Sequence, residues 1–264
     1  MTAIALLYHD VVGDQESMAA SGFCGPGTAR YKLRESQFSA HLEALKAANQ
    51  APIAAMQLRQ MKNSPGRQLL LTFDDGGSSA YHRIAPALAK LGWKAHFFVT
   101  VGHIERAAFL TREQIRSLRE LGHTIGSHSY SHPARMSAGS EQHILQEWQR
   151  SIGMLSEILG EPVTTASVPG GHYSIKVARA AALAGVHVLF TSEPVISVTE
   201  VEGCAIVGRF SIVRSTPPAT VAALASGKKM PRLTQAIFWN TRKLAKKIGG
   251  ELYLNARNAI LKKN

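Results

Sequence analysis

Short apolar or β-branched runs alternate along the chain with longer segments of helical period, the pattern of repeated βα units built on a parallel sheet. Seven runs read as strands: Ala3–Leu7, Leu69–Phe73, His96–Val101, Thr124–Ser127, Thr164–Val168, Val188–Thr191 and Ile206–Ile212. Between them apolar residues recur at helical spacing, at Phe38, Leu42 and Leu45, at Ile84, Leu88 and Leu91, at Ile115, Leu118 and Leu121, and from Leu145 through Trp148, Ile152 and Leu155 to Leu159. Each of these stretches is expected to bury one helical face. Ser174 to Gly185 reads as one more helix. Strand, loop and helix units repeating within one domain predict an α/β fold of the barrel type over an open dinucleotide-binding sheet. No GxGxxG follows the first strand and no GxxxxGK[ST] occurs, so a nucleotide-phosphate cradle is not supported. Gly13 to Arg30, rich in Gly, Ser and Ala and without periodicity, is longer than an ordinary connection and predicts a lid or an irregular surface loop.

Composition narrows the class. Of 264 residues 45% are apolar and 18% charged, enough to build a large core and unlike a disordered or fibrous chain. The apolar runs are all much shorter than the roughly 20 residues of a membrane span, and the first ten residues carry no basic residue ahead of their apolar stretch, which argues against a signal peptide. Cys24 and Cys204 stand alone, without CxxC spacing, and read as free thiols in a reducing, cytoplasmic compartment. Net charge is +12, but Lys228 to Asn264 holds ten basic residues against Glu251 alone, a net +9, leaving +3 for the other 227 residues. The basic character therefore belongs to one tail, and no nucleic-acid partner is expected from it.

Two clusters carry chemistry. The buried-type run Leu69 to Phe73 ends in Asp74 and Asp75, followed by Gly76 and Gly77. Neighbouring side chains on an extended chain point to opposite faces, so the two carboxylates can take different roles at one strand tip. His128 and His132 follow the strand Thr124–Ser127, with Pro133 directly after. On an extended strand those imidazoles would be about 13 Å apart, too far to share one metal, so the chain must curl for them to converge. Two histidines and an aspartate form a facial ligand set that leaves positions open for water and substrate.

The stretch Thr72-Phe73-Asp74-Asp75-Gly76 resembles the TFDDG motif of the polysaccharide deacetylases (carbohydrate esterase family 4, NodB homology), and His128-Ser129-Tyr130-Ser131-His132-Pro133 resembles their H[ST]xxH metal motif. The resemblance is clear over Leu69 to Pro194. It implies a distorted (β/α)7 barrel, a divalent metal, usually zinc, held by Asp75, His128 and His132, and Asp74 as general base. It also implies an oxyanion donor in the backbone N–H of Gly170, within Ser167-Val168-Pro169-Gly170-Gly171-His172-Tyr173, where the family's third motif begins with Arg and this chain has Ser167. Arg209 is the candidate to replace that Arg. The family's terminal Leu-x-His, source of the general acid, has no counterpart after His187. Leu7-Tyr8-His9 stands at the start instead, similar to the circularly permuted poly-N-acetylglucosamine deacetylases, and names His9 as the acid with His172 in reserve.

The expected activity is N-deacetylation of an amino sugar in a polysaccharide or glycan precursor, a carbohydrate substrate. The rival readings are a small-amide hydrolase of the same superfamily and an inactive glycan-binding barrel. Pro169, Gly171, His172, Tyr173, Arg209 and Tyr130 are expected at the substrate, and Tyr130, Tyr173 and Phe210 are the aromatic rings best placed for a sugar. Trp93 and Trp148 read as core, and His103, His123, His143 and His187 as structural or exposed. Residues 1–227 are expected to form the barrel. Residues 228–264 are expected to form a basic amphipathic extension, its period marked by Leu233, Ile237, Asn240, Leu244 and Ile248, packed on the barrel or peripheral to the inner membrane.

Overall fold

The structure, a computed structural model, describes residues 2–25, 27–53 and 68–241. Strand β1 (Ala3–Tyr8) is buried along its whole length, as a parallel strand covered on both faces must be, which is why it is apolar without alternation. Around it are β4 (Gln68–Phe73), β5 (His96–Val99), β6 (Thr124–Ser127), β7 (Thr165–Ser167), β8 (Val188–Phe190), β9 (Thr199–Val201), β10 (Cys204–Val207) and β11 (Arg209–Ser211). They form one sheet in the order β11-β1-β4-β5-β6-β7-β8-β10-β9, parallel throughout except for the β9–β10 hairpin. Two short strands, β2 (Val11–Val12) and β3 (Leu33–Arg34), pair separately.

The predicted seventh strand, Ile206–Ile212, is in fact two strands, and the break explains how the row of strands returns on itself. β10 pairs with β8, β11 pairs with β1, and Gly208 alone separates them. A Cβ at Gly208 would lie 2.4 Å from the Glu193 carbonyl oxygen and 2.7 Å from that of Val195, so only glycine lets the two backbones meet, and Arg209 N–H donates to Glu193 O at 2.9 Å. Counted as one bent strand, β10 and β11 complete seven parallel positions, the distorted (β/α)7 arrangement.

Helices α1 (Glu35–Ala47), α2 (Ala85–Ala89), α3 (Arg112–Glu120), α4 (Glu141–Leu159), α5 (Ile175–Leu183) and α6 (Pro218–Ala225) follow the predicted stripes, α6 and the β9 hairpin being additions to them. Phe38, Leu42, Leu45, Ile115, Leu118, Trp148 and Leu155 are buried; Leu121, just past α3, is half exposed. Trp148 is core, its indole donating to Val177 O at 3.4 Å, and Trp93 packs against the core.

The segment from Gly13 is tied down. Ser21 Oγ donates to Asp10 Oδ1 at 2.6 Å, Lys32 Nζ to Met18 O at 2.7 Å, and Gly22 N–H to Ala108 O at 2.7 Å. Residues 229–241 are helical. The expected packing of Leu233 and Ile237 on the barrel is not found: both are more than half exposed. The barrel side carries Gln235, whose amide accepts from Ser211 N–H and donates to Ser211 O, at 3.1 and 3.0 Å. Polar backbone on β11 is one of the surfaces this helix meets. Leu244 and Ile248 lie outside the described residues.

Candidate active site

The tips of β1, β4, β6 and β7 open into a cavity of about 590 Å³, within the size range of small-ligand sites. On β4 the chain turns sharply: Asp75 and Gly76 have φ of 79° and 80°, and a Cβ on Gly77 would fall 1.9 Å from Asp10 Oδ1. This lets two consecutive carboxylates diverge. After β6, Ser129 and His132 take left-handed φ of 65° and 56°, the curl that the spacing of the histidines requires. Glu147 of α4 holds that curl, accepting from Tyr130 N–H (3.0 Å), Ser131 N–H (2.9 Å) and Ser131 Oγ (2.8 Å).

Asp75 Oδ1 consequently lies 3.5 Å from His128 Nε2 and 3.6 Å from His132 Nε2, and one donor atom from each of the three falls within 4.8 Å of the others. His128 Nδ1 is 3.0 Å from Ser167 O; donating there, it leaves Nε2 as the lone-pair donor toward Asp75. Burial, with the Asp10 and Asp74 carboxylates nearby, pushes the Asp75 carboxyl well above the usual carboxylate range. The donors of this cluster, one carboxylate and two imidazoles, fit a divalent cation.

Asp74 is set differently. Its oxygens accept from Arg209 Nη1 and Nη2 at 2.7 and 2.8 Å and from Ser167 Oγ at 3.1 and 3.0 Å. Burial alone would raise its carboxyl, but Arg209, with His128 and His9, outweighs it and holds the group far below the usual range. Arg209 is itself fully buried, donating also to Thr191 O and Thr72 Oγ1. It therefore does not reach a substrate, which corrects that expectation; it bonds the Asp74 carboxylate and Ser167 Oγ instead.

His9 follows β1, which pairs with both β4 and β11. It lines the cavity, its Nδ1 is buried with no hydrogen-bond partner, and its ring lies 4.8 Å from that of Tyr31. Burial pushes its pKa down to about 4. Gly170, Gly171, His172 and Tyr173 line the same cavity, the two glycines at φ 63° and 69°. Three expectations fail here. Pro169 is buried in the turn, Tyr130 lies under Arg150 with the guanidinium carbon 3.6 Å from its ring centre, and Phe210 is wholly buried in the core. The rings that do line the cavity with Tyr173 are Phe23, Tyr31 and Trp239. Phe23 comes from the predicted lid and packs 4.8 Å from the His132 ring; Trp239, from the tail helix, lies 2.9 Å from where a Gly171 Cβ would be. His123 is core, accepting from Ala95 N–H at 3.2 Å, His143 and His187 are exposed, and His103 meets Phe23 edge-on.

Residues 61–189 match the family described as Polysaccharide deacetylase. A protein named as a polysaccharide deacetylase, YxkH of Bacillus subtilis (strain 168), is 28% identical over 167 residues, 62% of this chain and 60% of its own length, so the chain spans about three fifths of that relative. Among solved structures, the Streptococcus pyogenes deacetylase PplD in complex with acetate superposes with a TM-score of 0.69 at 21% identity, covering 83% of this chain and 95% of that one. IcaB from Ammonifex degensii gives 0.69 at 23% identity, with 85% and 97% covered. These likenesses establish the fold.

Proposed function

We propose, from the match of residues 61–189 to the polysaccharide deacetylase family, that the protein hydrolyses the N-acetyl amide of an amino sugar in a glycan or glycan precursor, releasing acetate and a free amine. The observation that carries this reading is the convergence of Asp75, His128 and His132 beside an Asp74 fixed by Arg209. Asp75, His128 and His132 would hold the cation, zinc by the chemistry of its donors. When bound, it supplies a Lewis acid for the acetamide carbonyl and for the attacking water.

The remaining roles belong to the chain. Asp74, ionised and immobilised by two guanidinium hydrogen bonds, accepts the proton of the attacking water. The Gly170 N–H, on the turn lining the cavity, donates to the developing oxyanion. His9, on the neighbouring strand tip and with a nitrogen unpartnered, is neutral near pH 7 because of its burial, so it takes up a proton in the substrate complex before passing it to the leaving amine. Asp74 and His9 stand on adjacent strands because Asp74 N–H donates to Tyr8 O at 3.1 Å, so the two proton-transfer groups share one side of the site.

The test is acetate release from N-acetylglucosamine oligomers and from small linear and cyclic amides, after chelation and after zinc is restored. Release from the oligomers that zinc restores is expected. Turnover of the small amides alone would assign the site to a small-amide hydrolase, and zinc binding without turnover to a glycan-binding barrel. His9→Ala adds an independent check: amide cleavage should fall by about 10²-fold or more, with little loss on an activated ester whose leaving group needs no proton. Equal loss on both substrates would remove His9 from the acid role.

A further inference from the structure

The helix over residues 229–241 has two unlike faces. Gln235 and Trp239 turn toward the barrel, Gln235 on the β11 backbone and Trp239 on the wall of the cavity, its indole Nε1 buried with no hydrogen-bond partner. At about 100° per residue the opposite face is made by Met230, Leu233 and Ile237, which are 72%, 54% and 56% exposed. Phe238, at their flank, is exposed to the same degree. Leu233 and Ile237, read from the sequence as one apolar face, do share a face, but the barrel does not use it.

The charge around this face selects what does. Lys228 and Lys229 stand exposed at its start, no Asp or Glu occurs between 228 and 250, and the sequence onward to Asn264 brings the excess to +9. Ten cations within some 37 residues of sequence, following an exposed apolar strip, match a continuous anionic surface. A bilayer supplies that surface: apolar side chains enter the boundary between headgroups and acyl chains while Lys and Arg meet lipid phosphates. No helix among the described residues is long and apolar enough to cross a membrane, so the contact is peripheral.

We infer that helix 229–241 seats the protein on an anionic membrane surface, and that the cavity walled by its Trp239 takes an acetamido sugar carried by a lipid in that surface. The second half rests on the deacetylase reading; the docking does not. The two are joined by the helix itself, because one face meets the bilayer while the other closes the site.

The experiment uses the full chain and phosphatidylcholine vesicles with or without about one third phosphatidylglycerol. Co-sedimentation with the anionic vesicles alone is expected, weakened by salt. Leu233→Glu with Ile237→Glu should lower binding about tenfold or more, and Lys228→Gln and Lys229→Gln about fivefold each. Acetate release from soluble N-acetylglucosamine oligomers should be unchanged in all of these. An N-acetylglucosaminyl glycolipid in the anionic vesicles should be deacetylated faster than the oligomers at equal sugar concentration, an advantage the Leu233→Glu, Ile237→Glu protein loses. Indifference of the native protein to phosphatidylglycerol, or undiminished binding by the glutamate variant, would overturn the docking. Should that variant lose soluble activity through misfolding, the lysine variants decide. Equal rates on glycolipid and oligomer would overturn the lipid-carried substrate. Vesicle binding with no acetate release from any substrate would sink the deacetylase reading and leave the docking standing.

Discussion

Asp74 and Arg209 form a fully buried, bidentate ion pair separated by 135 residues in the chain. Such a pair costs desolvation on both sides, and its worth lies in what happens when it is broken: one uncompensated charge remains in the core. Arg209→Met should therefore destabilise the protein by about 3–5 kcal/mol in urea denaturation at neutral pH. Adding Asp74→Asn to Arg209→Met should recover a large part of that loss, because no unpaired charge is left inside. A single variant within about 1 kcal/mol of the native protein would show that Asp74 is held by Ser167 and backbone alone. The sequence names Asp74, Asp75, His128 and His132 because each pair lies within one strand tip, where spacing and the turn residues are local. It names Arg209 both as a replacement for an absent Arg and as a group at the substrate. Whether that guanidinium meets a carboxylate or a sugar depends on Gly208 and on the loop from Thr191, which no local pattern encodes.

Helix α4 does more than cover the sheet. Its length and register follow from its apolar stripe, from the Ser140 side chain accepting from His143 N–H at its start, and from Gly160 at φ 67° at its end. That register aims the buried Glu147 at the backbone of Tyr130 and Ser131. Glu147 looks in the sequence like one more polar position of an amphipathic helix, and Tyr130 like a ring on offer to a sugar. The structure reverses both, since the carboxylate is consumed by the metal-motif loop and the ring by Arg150. Glu147→Gln retains size but turns an amide N–H₂ toward a backbone donor, so at least one charge-assisted bond is lost. Zinc affinity should fall about 10–100-fold, as when the support of a metal ligand is removed, with the far-ultraviolet circular dichroism unchanged. Undiminished affinity in a competition titration with a chromophoric chelator would mean that the left-handed turns at Ser129 and His132 hold the imidazoles without help. The lid and the tail helix were legible only as segments. Their contributions to the cavity, Phe23 and Trp239, come from regions without strand or barrel-helix periodicity, and their placement follows from anchors such as Asp10 with Ser21 and Gln235 with Ser211.

At the scale of the whole molecule, the core carries titratable groups that set its response to acid. His96 sits on β5 with no exposed surface, its Nδ1 3.2 Å from Leu71 O and its ring beside those of Phe98 and Phe190. Burial pushes its pKa down to about 4, and burial, then Lys94, brings His123 to about 4 as well. In the unfolded chain a histidine titrates near 6.5. Between those two values the unfolded state binds a proton that the folded state refuses, so ∂ΔG/∂pH is positive. The stability associated with neutral His96 is fully present above pH 6.5, is lost as the pH falls from there toward 4, and amounts to about 3 kcal/mol at the lower end. Asp75, whose carboxyl is raised, works in the opposite sense, so a bare melting curve against pH mixes the two. Comparison with His96→Phe separates them. Phenylalanine keeps a flat ring beside Phe98 and Phe190 but cannot titrate, so its deficit at pH 7.5, from the lost contact with Leu71 O, should shrink by about 3 kcal/mol as the pH is lowered to 4. Urea unfolding of both proteins at a series of pH values, with chelator present throughout, measures that difference. A stability difference constant across the series would mean that His96 takes up its proton as readily inside the barrel as outside, and that the acid lability of the fold originates elsewhere.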